Sequence, residues 1–119
     1  MNKPDEGFWT STLKGNNSSE WKKWAKYEGF GDISSGTILE IQKGVSMYII
    51  DTKKHFELLI KKFPYKNIYI DFVEFSKVYD ALCVTKKGIK NNIDLVLWNV
   101  ESTVWFNIKY LKIIKDIKI

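Results

Sequence analysis

Apolar residues recur along this chain at two spacings, and each spacing assigns its own kind of element. Phe56, Leu59, Ile60 and Phe63 fall at i, i+3, i+4 and i+7, the single apolar stripe of a helix. Asp51 or Thr52 is placed to cap its start, and Pro64 to stop it. Asp71 and Glu74 stand at capping-box spacing around Phe72, Phe75 and Tyr79, which predicts a second, shorter helix. An earlier helix is predicted after the turn at Gly15, Asn16 and Asn17. Asn17 caps it, Glu20 takes its third position, and Trp21, Trp24 and Ala25 share one face, with Lys22, Lys23 and Lys26 elsewhere and a stop at Gly29 or Gly31.

Other segments carry the residues of strands. Gly7–Thr12, Thr37–Gln42, Val45–Ile50, Ala81–Thr85, Ile93–Trp98 and Thr103–Ile108 are rich in β-branched and aromatic side chains. Lys43-Gly44 separates the second from the third. Residues 33–36 read as a loop, and Lys86–Asn92 as a polar turn around Gly88. The tail, Ile113–Ile119, alternates Ile with Lys or Asp and reads as an edge strand. Early helices and late, closely spaced strands predict one α+β domain over residues 1–119. It has a twisted, largely antiparallel sheet and two or three short helices.

Composition narrows the function classes. A chain of 119 residues buries roughly two-thirds of its unfolded surface, and 45% apolar with 15% aromatic content supplies a core. No apolar run approaches a membrane span, and residues 1–5 lack a secretory signal's apolar stretch. One cysteine, Cys83, excludes an internal disulfide framework and a cysteine zinc site, and the expected compartment is the reducing cytoplasm. The net charge is +5, and all nineteen basic residues are lysine. Arginine is the usual bidentate reader of guanine and phosphate. Its absence argues against sequence-specific nucleic-acid recognition and leaves a weak, salt-sensitive phosphate binder as a third possibility. The single histidine, His55, borders a helical stripe and rules out a multi-histidine metal centre. Neither a Gly-x-Gly-x-x-Gly nor a P-loop is present, and there is no Gly-x-Ser-x-Gly elbow.

Two segments carry candidate chemistry. In Phe8-Trp9-Thr10-Ser11-Thr12, three hydroxyls follow a tryptophan. Such a row can bond ribose or phosphate oxygens while the indole stacks on a flat ring, or it is simply an amphipathic strand running into a turn. In Trp98–Asn107, Glu101 sits between two apolar segments, beside Ser102 and Thr103. A carboxylate in a cleft there stabilises an oxocarbenium-like charge; on a hairpin corner it is only solvated.

The order of Lys3-Pro4, Gly7–Ser11, Glu20-Trp21, Trp24, Tyr48–Asp51, Ile70–Phe72, Tyr79–Leu82 and Trp98–Asn107 resembles a family of small bacterial and phage proteins. That layout is similar in turn to the ADP-ribosyltransferase fold. The resemblance implies NAD as cofactor and a macromolecular target. Trp9 would then lie at the nicotinamide, Thr10, Ser11, Thr12 and Ser102 would contact the ribose or phosphates, and Glu101 would be the catalytic glutamate. The chain departs from that pattern in two places. No Arg or His precedes Phe8, and Asn99 stands where a Glu-x-Glu pair has its first acid. A shortened member that binds and inhibits a host protein, such as a defence complex, is therefore the alternative expectation.

Overall fold

The computed structural model describes residues 3–4, 6–12, 35–66 and 68–118. The helix predicted after Asn17 lies outside them. The described residues form β1 (Phe8–Thr10), β2 (Ser35–Ile41), β3 (Met47–Ile50), α1 (Lys53–Lys62), β4 (Pro64–Tyr65), β5 (Tyr69–Ile70), α2 (Phe72–Ser76), β6 (Ala81–Val84) and α3 (Lys86–Asn91). A 3₁₀ helix (Ile93–Trp98), β7 (Ser102–Trp105) and β8 (Leu111–Lys118) complete them. The main sheet has the order β1-β7-β6-β3. Strand β7 runs antiparallel to both neighbours, whereas β3 and β6 are parallel, joined by a crossover through α1, the β4–β5 hairpin and α2. Strands β2 and β8 form a separate antiparallel ribbon with an irregularity between Ile38 and Leu39. Four of these five strand pairings are antiparallel and the α+β class holds, but the strands divide among three sheets rather than one, and the main sheet is mixed.

Side-chain alternation gives the main sheet two buried faces. Tyr48, Leu82, Val104 and Trp9 align across one face through the register. With Ile50 and Val84 they meet Phe56, Leu59, Phe63, Phe75, Leu95 and Trp98 in the core. The other face carries Ala81, Thr103 and Trp105, also buried.

The predicted helix signals operate as physics requires. Thr52 caps α1, its Oγ1 accepting the His55 N–H at 3.1 Å, and the Phe63 N–H donates to the Leu59 carbonyl to close the last turn. Asp71 Oδ1 accepts the Glu74 N–H at 3.1 Å. The box is only half made, because the Asp71 N–H goes to the Phe63 carbonyl and Glu74 pairs with Lys77 at 3.0 Å.

Three expectations need correction. Lys86–Asn92 is not a turn: Thr85 caps a helix there, its Oγ1 accepting the Gly88 N–H, and Gly88 lies inside that helix. Ile93–Trp98 is not a strand. Leu95 and Trp98 are buried three residues apart while Ile93 is 86% exposed, the period of a 3₁₀ turn rather than of a pleat. Strand β7 stops at Trp105 because the Phe106 and Asn107 N–H groups both turn to the Asp80 carbonyl. In addition, β2 takes in Ser35 and Gly36, which the pattern assigned to a loop.

Candidate functional site

The two chemistry-bearing segments lie side by side. Strand β1 pairs with β7 in the register Phe8–Trp105, Trp9–Val104 and Thr10–Thr103. Because the strands are antiparallel, the chain leaves β1 through Ser11 and Thr12 at the end where Glu101 and Ser102 lead into β7. The resemblance implied one site for both segments; the partners of each side chain were not legible in the sequence.

Trp9 is half-buried, and its ring meets Trp98 edge-on at 4.9 Å between centroids. Lys3 Nζ lies 5.3 Å from the Trp9 ring centroid and donates to the Leu97 carbonyl at 3.2 Å. Thr10 Oγ1 accepts the Trp105 indole N–H at 3.0 Å and faces the Thr103 carbonyl at 3.5 Å. Ser11 is half-buried and Thr12 exposed. Ser102 is buried, and its hydroxyl donates to the Val100 carbonyl at 2.9 Å. Glu101 is half-buried, with Oε1 accepting the Lys86 N–H at 3.2 Å. It thus satisfies one of the orphan donors that open α3, where a negative charge is favourable.

Cys83 lies beside this end of the sheet, register-paired with Thr103. Burial pushes its thiol above the ordinary range, a hydrogen bond with Thr103 pulls it down, and the negative Glu101 and Asp51 push it up again. The folded state therefore favours the neutral thiol. The stability this contributes is fully present below the unfolded thiol pKa and is lost as pH rises through the folded one. Iodoacetamide should alkylate Cys83 of the native protein more slowly at mildly alkaline pH than that of the urea-unfolded chain. Equal rates would show that the thiol is not so held.

Next to α1, the His55 ring accepts the Asp51 N–H on Nδ1 at 3.1 Å, which places its neutral-state proton on Nε2. Thr85 Oγ1 donates to Asp51 Oδ1 at 2.6 Å. These bonds tie the ends of the parallel strands β3 and β6 to the starts of α1 and α3. Among the described residues no group of three or more His, Cys, Asp or Glu is gathered to hold a metal ion, and no helix is long and apolar enough to cross a membrane.

An open cleft of about 750 Å³ lies elsewhere, between the β4–β5 hairpin, the start of α2 and the segment around Lys3 and Pro4. Tyr65, Tyr69, Phe72, Val73 and Phe106 give it an aromatic and aliphatic wall, and Lys3 and Lys66 stand at it with Glu6 and Asp71, charges of both signs. None of Trp9, Thr10, Ser11, Thr12, Glu101 and Ser102 lines it. Sequence reasoning passed over this cleft. The available signal was Tyr65 and Tyr69 flanking the three residues Lys66-Asn67-Ile68, a hairpin spacing in which Lys66 adopts φ 54°, the left-handed region suited to a tight turn.

Comparison of the chain with family models, curated proteins and solved structures finds no match.

Proposed function

We propose that the chain is a non-catalytic protein-binding domain that docks its partner on the aromatic cleft. One observation carries this reading: Thr10, Ser102 and Glu101, three of the polar groups that NAD chemistry would need, are already engaged in the fold. Thr10 holds the Trp105 indole, Ser102 the Val100 carbonyl, and Glu101 the start of α3. A carboxylate held against a backbone N–H is poorly placed to follow charge developing on a ribose. The cleft offers the opposite situation. Val73 is 68% and Tyr65 51% exposed, and Ile68 on the same hairpin is 60% exposed. Aromatic side chains enriched at the centre with charged residues beside them, here Lys3, Lys66, Glu6 and Asp71, match the aromatic core and polar rim of interfaces. The +5 charge favours encounter with an acidic protein.

One experiment separates this reading from ADP-ribosyl transfer. Wild-type protein, Glu101→Gln and Val73→Glu are each incubated with NAD and cell extract, and nicotinamide release and partner capture are followed. The expected result is no nicotinamide release from any form, capture by wild type and Glu101→Gln, and at least about a tenfold loss for Val73→Glu, because a charge then enters a desolvated contact. Nicotinamide release by wild type that Glu101→Gln abolishes would replace the binding reading with the enzymatic one.

A further inference from the structure

The main sheet ends on one side in β3, and among the described residues nothing pairs with its outer edge. The Ser46 carbonyl accepts the Asp80 and Ala81 N–H groups, at 2.7 and 3.2 Å, and the Ile50 carbonyl accepts the Thr85 N–H at 3.0 Å. Parallel pairing alternates, so residues 46, 48 and 50 direct their backbone polar groups to β6, and Met47 and Ile49 direct theirs away from it. Among the described residues neither Met47 nor Ile49 has a backbone partner on that side. Ile49 is half exposed.

Proteins blunt open edges with short strands, lysine or proline. Strand β1, at the other end of this sheet, has only three residues and follows Pro4 by a short segment. Strand β8 carries Lys112, Lys115 and Lys118. Strand β3, Met-Tyr-Ile-Ile, is a residue longer than β1 and carries neither lysine nor proline.

We propose that β3 pairs antiparallel with the β3 of a second copy about a two-fold axis at Tyr48, making one continuous sheet across two chains. The outward groups are self-complementary for this arrangement. With Tyr48 facing Tyr48 of the second copy, Met47 stands opposite Ile49 of that copy and Ile49 opposite its Met47. Each of these two pairs exchanges both N–H···O=C bonds, and the contact is isologous. The paired strands are uncharged, so no like charges are brought directly opposite one another. The surface is separate from the aromatic cleft, so the proposal stands or falls independently of the docking reading.

Each copy carries a net +5, and that long-range repulsion is screened over about 8 Å at physiological ionic strength. Self-pairing should therefore strengthen as salt rises, whereas docking of an acidic protein should weaken. Sedimentation from low micromolar to near-millimolar protein, at low and physiological salt, should show a monomer converting to a dimer. Hydrogen exchange should show the Met47 and Ile49 amides becoming protected over the same concentration range. Ile49→Pro removes the outward N–H without removing a donor to β6, and Ile49→Lys places a charge on the edge. Each should weaken association at least about tenfold while circular dichroism stays native, the lysine variant serving if the proline variant misfolds. A monomer at every concentration would overturn the proposal. So would a dimer indifferent to Ile49→Lys, or β3 amides protected only when a different protein is added.

Discussion

Gly88→Ala is expected to destabilise the fold by about 3 kcal/mol, the upper range for overpacking a buried site. A Cβ on Gly88 would stand 2.2 Å from the Ile50 carbonyl oxygen, 2.9 Å from its carbon and 3.3 Å from Val84 Cγ1. The first two contacts are with backbone, so no side chain can swing aside. Relief would require moving α3 away from β3 and the start of α1, and two bonds hold it there. The Thr85 N–H donates to the Ile50 carbonyl at 3.0 Å, and Asn92 Nδ2 donates to the Thr52 carbonyl at 3.3 Å. Alanine gains about 1 kcal/mol over glycine as a helix former; the clash outweighs it. Thermal denaturation should show Tm lower by roughly 10 °C. An unchanged Tm would mean that α3 is not seated against β3 as described.

Phe75→Ala should cost more, about 3–5 kcal/mol, the range for truncating a fully buried aromatic. Phe75 is fully buried from α2, a helix of five residues with little stability of its own. Its ring stacks on Tyr79 at 5.0 Å and meets Phe63 and Phe106 edge-on, each at 5.7 Å. One side chain thus joins the end of α1, α2 and the segment leaving β7. The aromatic pairs add to the area term, because each contributes about 0.5–1.5 kcal/mol beyond burial. Urea unfolding with an unchanged m-value and a midpoint shifted strongly down is the expected result. A loss under about 1 kcal/mol would show that these three elements do not depend on the ring. Phe75→Leu, which keeps most of the volume, should recover much of the loss.

Elements whose signals are local were legible in the sequence. The stripe Phe56, Leu59 and Phe63, the caps Thr52 and Asp71, and the stop at Pro64 are all where the pattern puts them. Strands β1, β3, β6, β7 and β8 fall within or near their expected spans. Elements with weak or ambiguous local signals were not legible. Gly88 reads as a turn in one dimension, yet it serves as the close-approach residue of a helix. Ile93–Trp98 is a short, nearly continuous apolar segment, and such a run is too short to separate the strand period from the helical one.

The candidate site divides along the same line. Residue types marked Trp9, Thr10, Glu101 and Ser102 as candidates on two strand-forming segments, and the resemblance implied one site for them; the β1–β7 pairing sets the segments side by side. Neither reading said which groups would remain free. A hydroxyl or carboxylate takes the nearest donor or acceptor that folding brings within about 3 Å. For Thr10 that is Trp105, and for Glu101 it is the Lys86 N–H, separated from them by 95 and 15 residues. What the sequence determined was therefore the class of fold and most of its elements, consequences of short-range periodicity and capping. The tertiary structure alone decided the pairing of β1 with β7, the parallel pairing of β3 with β6, the edge this leaves open among the described residues, the aromatic cleft and the engagement of Thr10 and Glu101. Each of these depends on a contact between residues far apart in the chain, whose pairing no local pattern encodes.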